Sequence, residues 1–165
     1  MPQQTAWRFC NNCSAMFYDG PDKTKCPAGG GRHVAAGYNF SLPYDVQGTP
    51  TDQTAWRFCG KCKEMFYDGD QDKGRCSGGG GHAAAGFQFV LPHDVPGTAR
   101  TQDSWRYCGQ CRALFYDGSP KKGVCPAGGG HISAGYNFVL PRLPDKNDPV
   151  PPVPMDDFIA IPADG

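Results

Sequence analysis

Apolar and polar positions in this chain alternate over short runs instead of recurring every three or four residues. In Gly37-Tyr38-Asn39-Phe40-Ser41-Leu42 the large apolar side chains fall on every second residue, the period of a strand with one buried face, and Pro43 closes the run. Trp7-Arg8-Phe9-Cys10 and Ala15-Met16-Phe17-Tyr18 flank Asn11-Asn12-Cys13, which predicts two strands joined by a tight turn, with Asp19-Gly20 as the next turn signal. No stretch carries a helix-period stripe, and 23 glycines and 16 prolines leave little room for long helices. The expected class is all-β.

The same pattern comes three times. Trp7, Trp56 and Trp105 are 49 residues apart in turn, as are Cys10, Cys59 and Cys108, then His33, His82 and His131, then Phe40, Phe89 and Phe138. Each copy reads W-R-[FY]-C-x-x-C-x-x-[ML]-F-Y-D-G, a lysine-containing loop, C-x-x-G-G-G, a histidine, and A-G-[YF]-[NQ]-F-x-L-P. The modules expected are 5–43, 54–92 and 103–141, each with three short strands, joined by stretches rich in Gly, Pro, Thr and Asp. Whole copies with short joints and no capping repeat predict a closed pseudo-threefold body, β-trefoil-like or β-prism-like, in which the three tryptophans meet near the axis. Beads on a string is the alternative. Residues 142–165 are different in kind, a proline-rich and acidic tail that suits an extension packed back on the modules or a ligand for a proline-reading domain.

Cysteine number carries the chemistry. Nine cysteines, three per copy, cannot all pair as disulfides within a chain or within a module. With the recurring histidine they make three four-residue sets: Cys10, Cys13, Cys26 and His33; Cys59, Cys62, Cys76 and His82; Cys108, Cys111, Cys125 and His131. A C-x-x-C pair delivers two thiolates from one turn, and the next twelve or thirteen residues let the chain return with the other donors. Three thiolates and one imidazole in a closed tetrahedron form an accepted structural zinc set, so the cofactor expected is zinc, three ions per chain. A 49-residue unit this rich in glycine buries too little apolar surface to offset its chain entropy, and a metal staple on the order of 10 kcal/mol meets that need. The histidine, which follows the glycine run Gly29-Gly30-Gly31-Arg32 in the first copy, is the ligand whose place is least constrained by spacing.

A three-thiolate zinc with an open position would suit a hydrolase or deaminase that uses a glutamate as proton shuttle. Glu64 is the sole glutamate and has no counterpart in the other copies. No serine recurs, and the recurring histidines and cysteines are claimed by metal. The expectation is therefore a binding protein, not an enzyme, with the triplication serving avidity.

Charge bears on the partner. The chain is formally neutral; the tail from Leu143 holds five Asp and one Lys, leaving the repeats 15 basic and 11 acidic residues. Each filled three-thiolate site adds about −1, which brings the repeats to roughly +1, far from the basic stripe that phosphate binding needs. Nucleic acid is thus an unlikely partner, with single-strand binding on aromatic platforms or a protein-binding scaffold or effector role as alternatives. Glycans are the partner expected. Sugar recognition wants an aromatic face with carboxylate and amide groups, and each copy keeps all three: Tyr18, Asp19 and Asn39; Tyr67, Asp68 and Gln88; Tyr116, Asp117 and Asn137. The plain reading of the same residues is that Asp19-Gly20 makes a turn and that Arg8, Arg57 and Arg106 pair with the aspartates. No run of about 18 apolar residues predicts a membrane span, and Met1-Pro2-Gln3-Gln4-Thr5 lacks signal-peptide character, so the expectation is a soluble chain, cytoplasmic or secreted by a non-classical route.

The C-x-x-C hairpin resembles zinc-ribbon and zinc-knuckle modules, and the three-copy plan resembles the small trivalent lectins of bacteria and fungi. The first resemblance implies structural zinc, the second a multivalent sugar-binding body. The sequence departs from trefoil lectins in lacking their Q-x-W signature.

Overall fold

The computed structural model describes residues 2–28 and 31–143. Among them are nine strands and no helix: β1 (Gln3–Cys10), β2 (Met16–Tyr18), β3 (Ala35–Pro43), β4 (Asp52–Cys59), β5 (Met65–Tyr67), β6 (Ala84–Pro92), β7 (Thr101–Cys108), β8 (Leu114–Tyr116) and β9 (Ser133–Pro141). They form three antiparallel sheets of identical order, β2-β1-β3, β5-β4-β6 and β8-β7-β9. The tail reading falls almost wholly on residues 144–165, outside the described residues.

Register follows the apolar pattern. Trp7 lies between Tyr18 on β2 and Phe40 on β3, and Trp56 and Trp105 sit likewise between Tyr67 and Phe89 and between Tyr116 and Phe138. Each central strand slips register just before its tryptophan, where Ala6, Ala55 and Ser104 take φ of 70°, 72° and 69°. This bulge lets the buried indole N–H reach a side chain three residues earlier on the same strand: Trp7, Trp56 and Trp105 each donate to Gln4, Gln53 and Gln102 at 2.9 Å.

No sheet closes on itself, so the strand pairing supplies neither the β-trefoil-like nor the β-prism-like closure expected. What joins the modules is a cycle of contacts. Trp7 packs edge-on against Phe58 and Phe89 of the second module, Trp56 against Tyr107 and Phe138 of the third, and Trp105 against Phe9 and Phe40 of the first. The tryptophans thus lie at the seams, in one apolar core shared by all three modules. Residues just after each third strand repeat the cycle: Tyr44 stacks on Phe87 and His93 on Tyr136, each at 3.6 Å, while the Arg142 guanidinium lies 4.0 Å over Tyr38. Single β-bridges, Phe17–Glu64, Phe66–Ala113 and Ala15–Phe115, join the strand-entry segments in the same order.

Candidate metal centre

Each module places its metal-ligating set where β1, β4 or β7 turns back. Cys10 ends β1 and Cys13 lies in the turn; Ser14, in a left-handed conformation at φ 69°, returns its N–H to the Cys10 carbonyl at 2.8 Å. The other two copies repeat this with Lys63 and Arg112. The third cysteine and the histidine arrive on the loop that precedes β3, β6 or β9. All twelve predicted ligands are brought together as three buried clusters, with the donor atoms of each within 4.8 Å of one another.

The dimensions suit a tetrahedral ion. With metal–sulfur bonds of about 2.3 Å and metal–nitrogen bonds of about 2.0–2.1 Å, a zinc tetrahedron has edges of about 3.8 Å between sulfurs and about 3.6 Å between sulfur and nitrogen. The sulfur pairs Cys10–Cys26, Cys59–Cys76 and Cys108–Cys125 stand at 3.9, 3.7 and 3.9 Å. The pairs Cys13–His33, Cys62–His82 and Cys111–His131 stand at 3.7, 3.4 and 3.5 Å, measured to Nδ1. All nine cysteines are free thiols, where the odd number per module required only one unpaired in each. Backbone N–H groups point at the sulfurs, as in Cys13 and Val34 to Cys10 and Ala28 to Cys26, each at 3.5 Å, which offsets thiolate charge.

Close packing of the donors shifts the titration of each cluster. Hydrogen bonds from Cys13 and Cys26 hold Cys10 far below the usual thiol range, and the same bonding pushes Cys13 far above it. Cys59 and Cys108 are lowered likewise; Cys62 is raised chiefly by burial, and Cys111 chiefly by its bond to Cys108. Burial alone would lower His33, but its bonds to Cys10 and Cys26 and the nearby Glu64 outweigh that and push it up to about 10, as happens at His82 and His131. A metal takes its cysteine ligands as thiolates, so binding a cation in such a cluster releases protons.

Two surroundings of the histidines were not legible in the sequence. Each ring stacks on the phenylalanine of the M-F-Y or L-F-Y strand in its own module: His33 on Phe17 and His82 on Phe66 at 4.7 Å, and His131 on Phe115 at 4.9 Å. Each outer nitrogen reaches the next module: His33 Nε2 lies 2.8 Å from the Cys62 carbonyl, His82 Nε2 2.8 Å from that of Cys111, and His131 Nε2 2.9 Å from that of Cys13. A carbonyl only accepts, so Nε2 carries the proton and Nδ1 is left free to ligate.

Glu64, the sole glutamate, stands beside the first metal cluster. It is buried at the junction of the modules, with Oε2 3.7 Å from His33 Nε2 and 3.8 Å from Cys13 Sγ, so its nearest cluster is that of the first module. Burial raises its carboxyl above the usual range, against the pull of His33, His82 and His131. Ala15 and Ala113 occupy the corresponding positions in the other copies.

Eight of the nine residues expected to hold sugar make internal contacts, and two of these, Tyr67 and Tyr116, also line grooves. Tyr18 is buried against Trp7 and, across the seam, Phe58, with its hydroxyl pushed up to about 12 by burial. Tyr67 and Tyr116 contact Trp56 and Trp105 in the same way. Asp19, Asp68 and Asp117 pair with Lys23, Lys73 and Lys122 at 2.9, 2.8 and 2.8 Å, and Arg8 adds to Asp19 at 3.6 Å, so lysine is the partner common to all three copies. Asn39 and Asn137 accept from the bulge N–H groups of Ala6 and Ser104 at 2.8 Å, while the side chain of Gln88 is exposed. In the first copy Tyr18 and Asn39 are buried, so its tyrosine, aspartate and amide do not share one open face.

Open concave surface lies at the seams. A groove of about 430 Å³ between the first and third modules is lined by Phe9, Tyr38, Tyr116, Gln102, Ser119 and Lys121, among others. A smaller one of about 170 Å³, at the corresponding place between the second and third, includes Tyr67, Tyr107, Tyr136 and Gln53. Among the described residues no helix is long and apolar enough to cross a membrane. The chain matches no protein-family model, no curated protein and no solved structure.

Proposed function

We propose that this chain is a non-enzymatic, multivalent binding protein whose three modules are each stapled by a zinc ion. The observation that carries the metal assignment is the triple recurrence of sulfur–sulfur and sulfur–nitrogen separations that match the edges of a zinc tetrahedron. When bound, zinc supplies four-ligand closure and folding free energy. Cys10, Cys13, Cys26 and His33 and their two counterpart sets would hold it through Sγ and Nδ1, while the backbone N–H groups on the sulfurs temper the negative charge.

Ligand binding is assigned to the seam grooves. Rings of Phe9, Tyr38 and Tyr116 beside the polar Gln102, Ser119 and Lys121 offer the apolar face and hydroxyl partners that a carbohydrate needs, so glycan is the ligand class we assign. Ser119→Trp, placed in the groove wall away from the metal clusters, tests it. Weaker glycan-array binding in that variant, with wild-type zinc content, is expected, since one of the grooves is blocked; an array silent for the zinc-loaded wild type would sink the glycan reading and leave a protein partner for the same groove.

A further inference from the structure

We propose that the three metal sites load as one coupled ring, because each site takes the orientation of its histidine from the metal-binding turn of the next module. This rests on the zinc reading above. The bonds run His33 to Cys62, His82 to Cys111 and His131 to Cys13, so the third returns to the first and no site stands at an end. In each case the accepting carbonyl belongs to a cysteine that is itself a ligand of the neighbouring site. Its position is set by the closed turn, where Cys62 N–H points to Cys59 Sγ at 3.5 Å and Lys63 N–H donates to the Cys59 carbonyl at 2.8 Å.

A second ligand leans on the same carbonyl. Val124, adjacent to Cys125, donates its N–H to the Cys13 carbonyl at 3.2 Å. A Cβ built on Gly123 would stand 2.0 Å from that oxygen, and one on Gly74, two residues before Cys76, would stand 2.3 Å from the Cys111 oxygen. In the second and third modules the third cysteine and the histidine are thus both delivered against the next module's turn. When that turn opens for want of metal, a buried imidazole N–H loses its acceptor and the ring loses the contact that aims Nδ1. Filling one site therefore organises the acceptor that its neighbour's histidine needs, and couplings of this class change affinity about 5- to 150-fold.

Native mass spectrometry of the full chain, refolded from metal-free protein with one equivalent of zinc, reads the coupling directly. The result expected is a mixture dominated by chains with no zinc and chains with three. A one-zinc species as the commonest form, as independent sites give, would overturn the proposal. His33→Cys keeps a four-ligand set while deleting the bond to Cys62; it is expected to reach three ions at saturation but to populate one- and two-zinc species on the way. His82→Cys and His131→Cys repeat the measurement at the other seams. If all three variants stay as all-or-none as the wild type, the coupling runs through the shared aromatic core and not through the histidines, which refutes the proposal. Failure of the wild type to take up any zinc at saturation would instead refute the zinc reading on which it rests.

Discussion

Glu64→Met is a sharp probe of how the modules meet. The substitution keeps the length and approximate volume of the side chain while removing a carboxyl that is buried at the junction, with Oε1 lacking any hydrogen-bond partner and Oε2 holding only a long bond from Cys13 Sγ at 3.8 Å, with His33 Nε2 at 3.7 Å. An unpartnered buried polar atom costs about 1–3 kcal/mol, and replacing buried ionisable groups by apolar ones of similar size is commonly neutral or stabilising. Glu64→Met is therefore expected to stabilise the zinc-loaded protein by about 1–3 kcal/mol in urea denaturation. The pH dependence has a definite sign. Burial raises this carboxyl in the fold, so its contribution is present below the unfolded carboxylate value and is lost as pH rises toward the folded one. The gain from Glu64→Met should then grow as pH rises from the unfolded carboxylate value toward the folded one. A loss of more than about 1 kcal/mol, or a gain that shrinks with rising pH, would refute the reasoning and mean that the acid makes a favourable bond to Cys13 or His33.

Two glycines with the same backbone separate strain from packing. Gly135→Ala, at φ +72° with open space around its Cβ, should cost only the left-handed penalty of about 1–2 kcal/mol; Gly123→Ala, at the same φ but against the Cys13 carbonyl, should cost at least twice that and lower zinc occupancy. Equal losses for the two would remove the close approach at that seam. Asp68→Asn breaks a partly exposed ion pair with Lys73 and is expected to cost no more than about 1 kcal/mol, less in high salt, with three ions retained. Loss of a metal ion in that variant would show that the lysine loop positions the third cysteine more firmly than a surface pair can.

The three strands per module and the twelve ligands were legible because both depend on residue type at fixed spacing: alternating Tyr38, Phe40 and Leu42, and a C-x-x-C turn followed by cysteine and histidine. The histidine, whose spacing after a glycine run constrained it least, is fixed by partners that spacing does not encode. One is a ring, Phe17, Phe66 or Phe115; the other is a backbone carbonyl in another module, and a carbonyl leaves no mark on composition. The amide has a structural duty that the sequence hides for a similar reason. Asn39 and Asn137 accept from the bulge N–H groups of Ala6 and Ser104, a demand that appears only once the register slip is known. The aspartates were read as possible partners of arginine, yet the five-residue loop brings Lys73 and Lys122 to Asp68 and Asp117, and only Asp19 has an arginine as well. The tryptophans were placed correctly in the core but not at its seams, since nothing in one repeat says which face of its neighbour it meets.

The most direct test of the account is a metal count joined to removal. Elemental analysis of the purified chain should give three zinc ions per molecule, and stripping them with a chelator should abolish the sheet signal and expose Trp7, Trp56 and Trp105 to solvent in a single transition. A count well below three, or a chain that keeps its fold and its buried tryptophans after chelation, would contradict it.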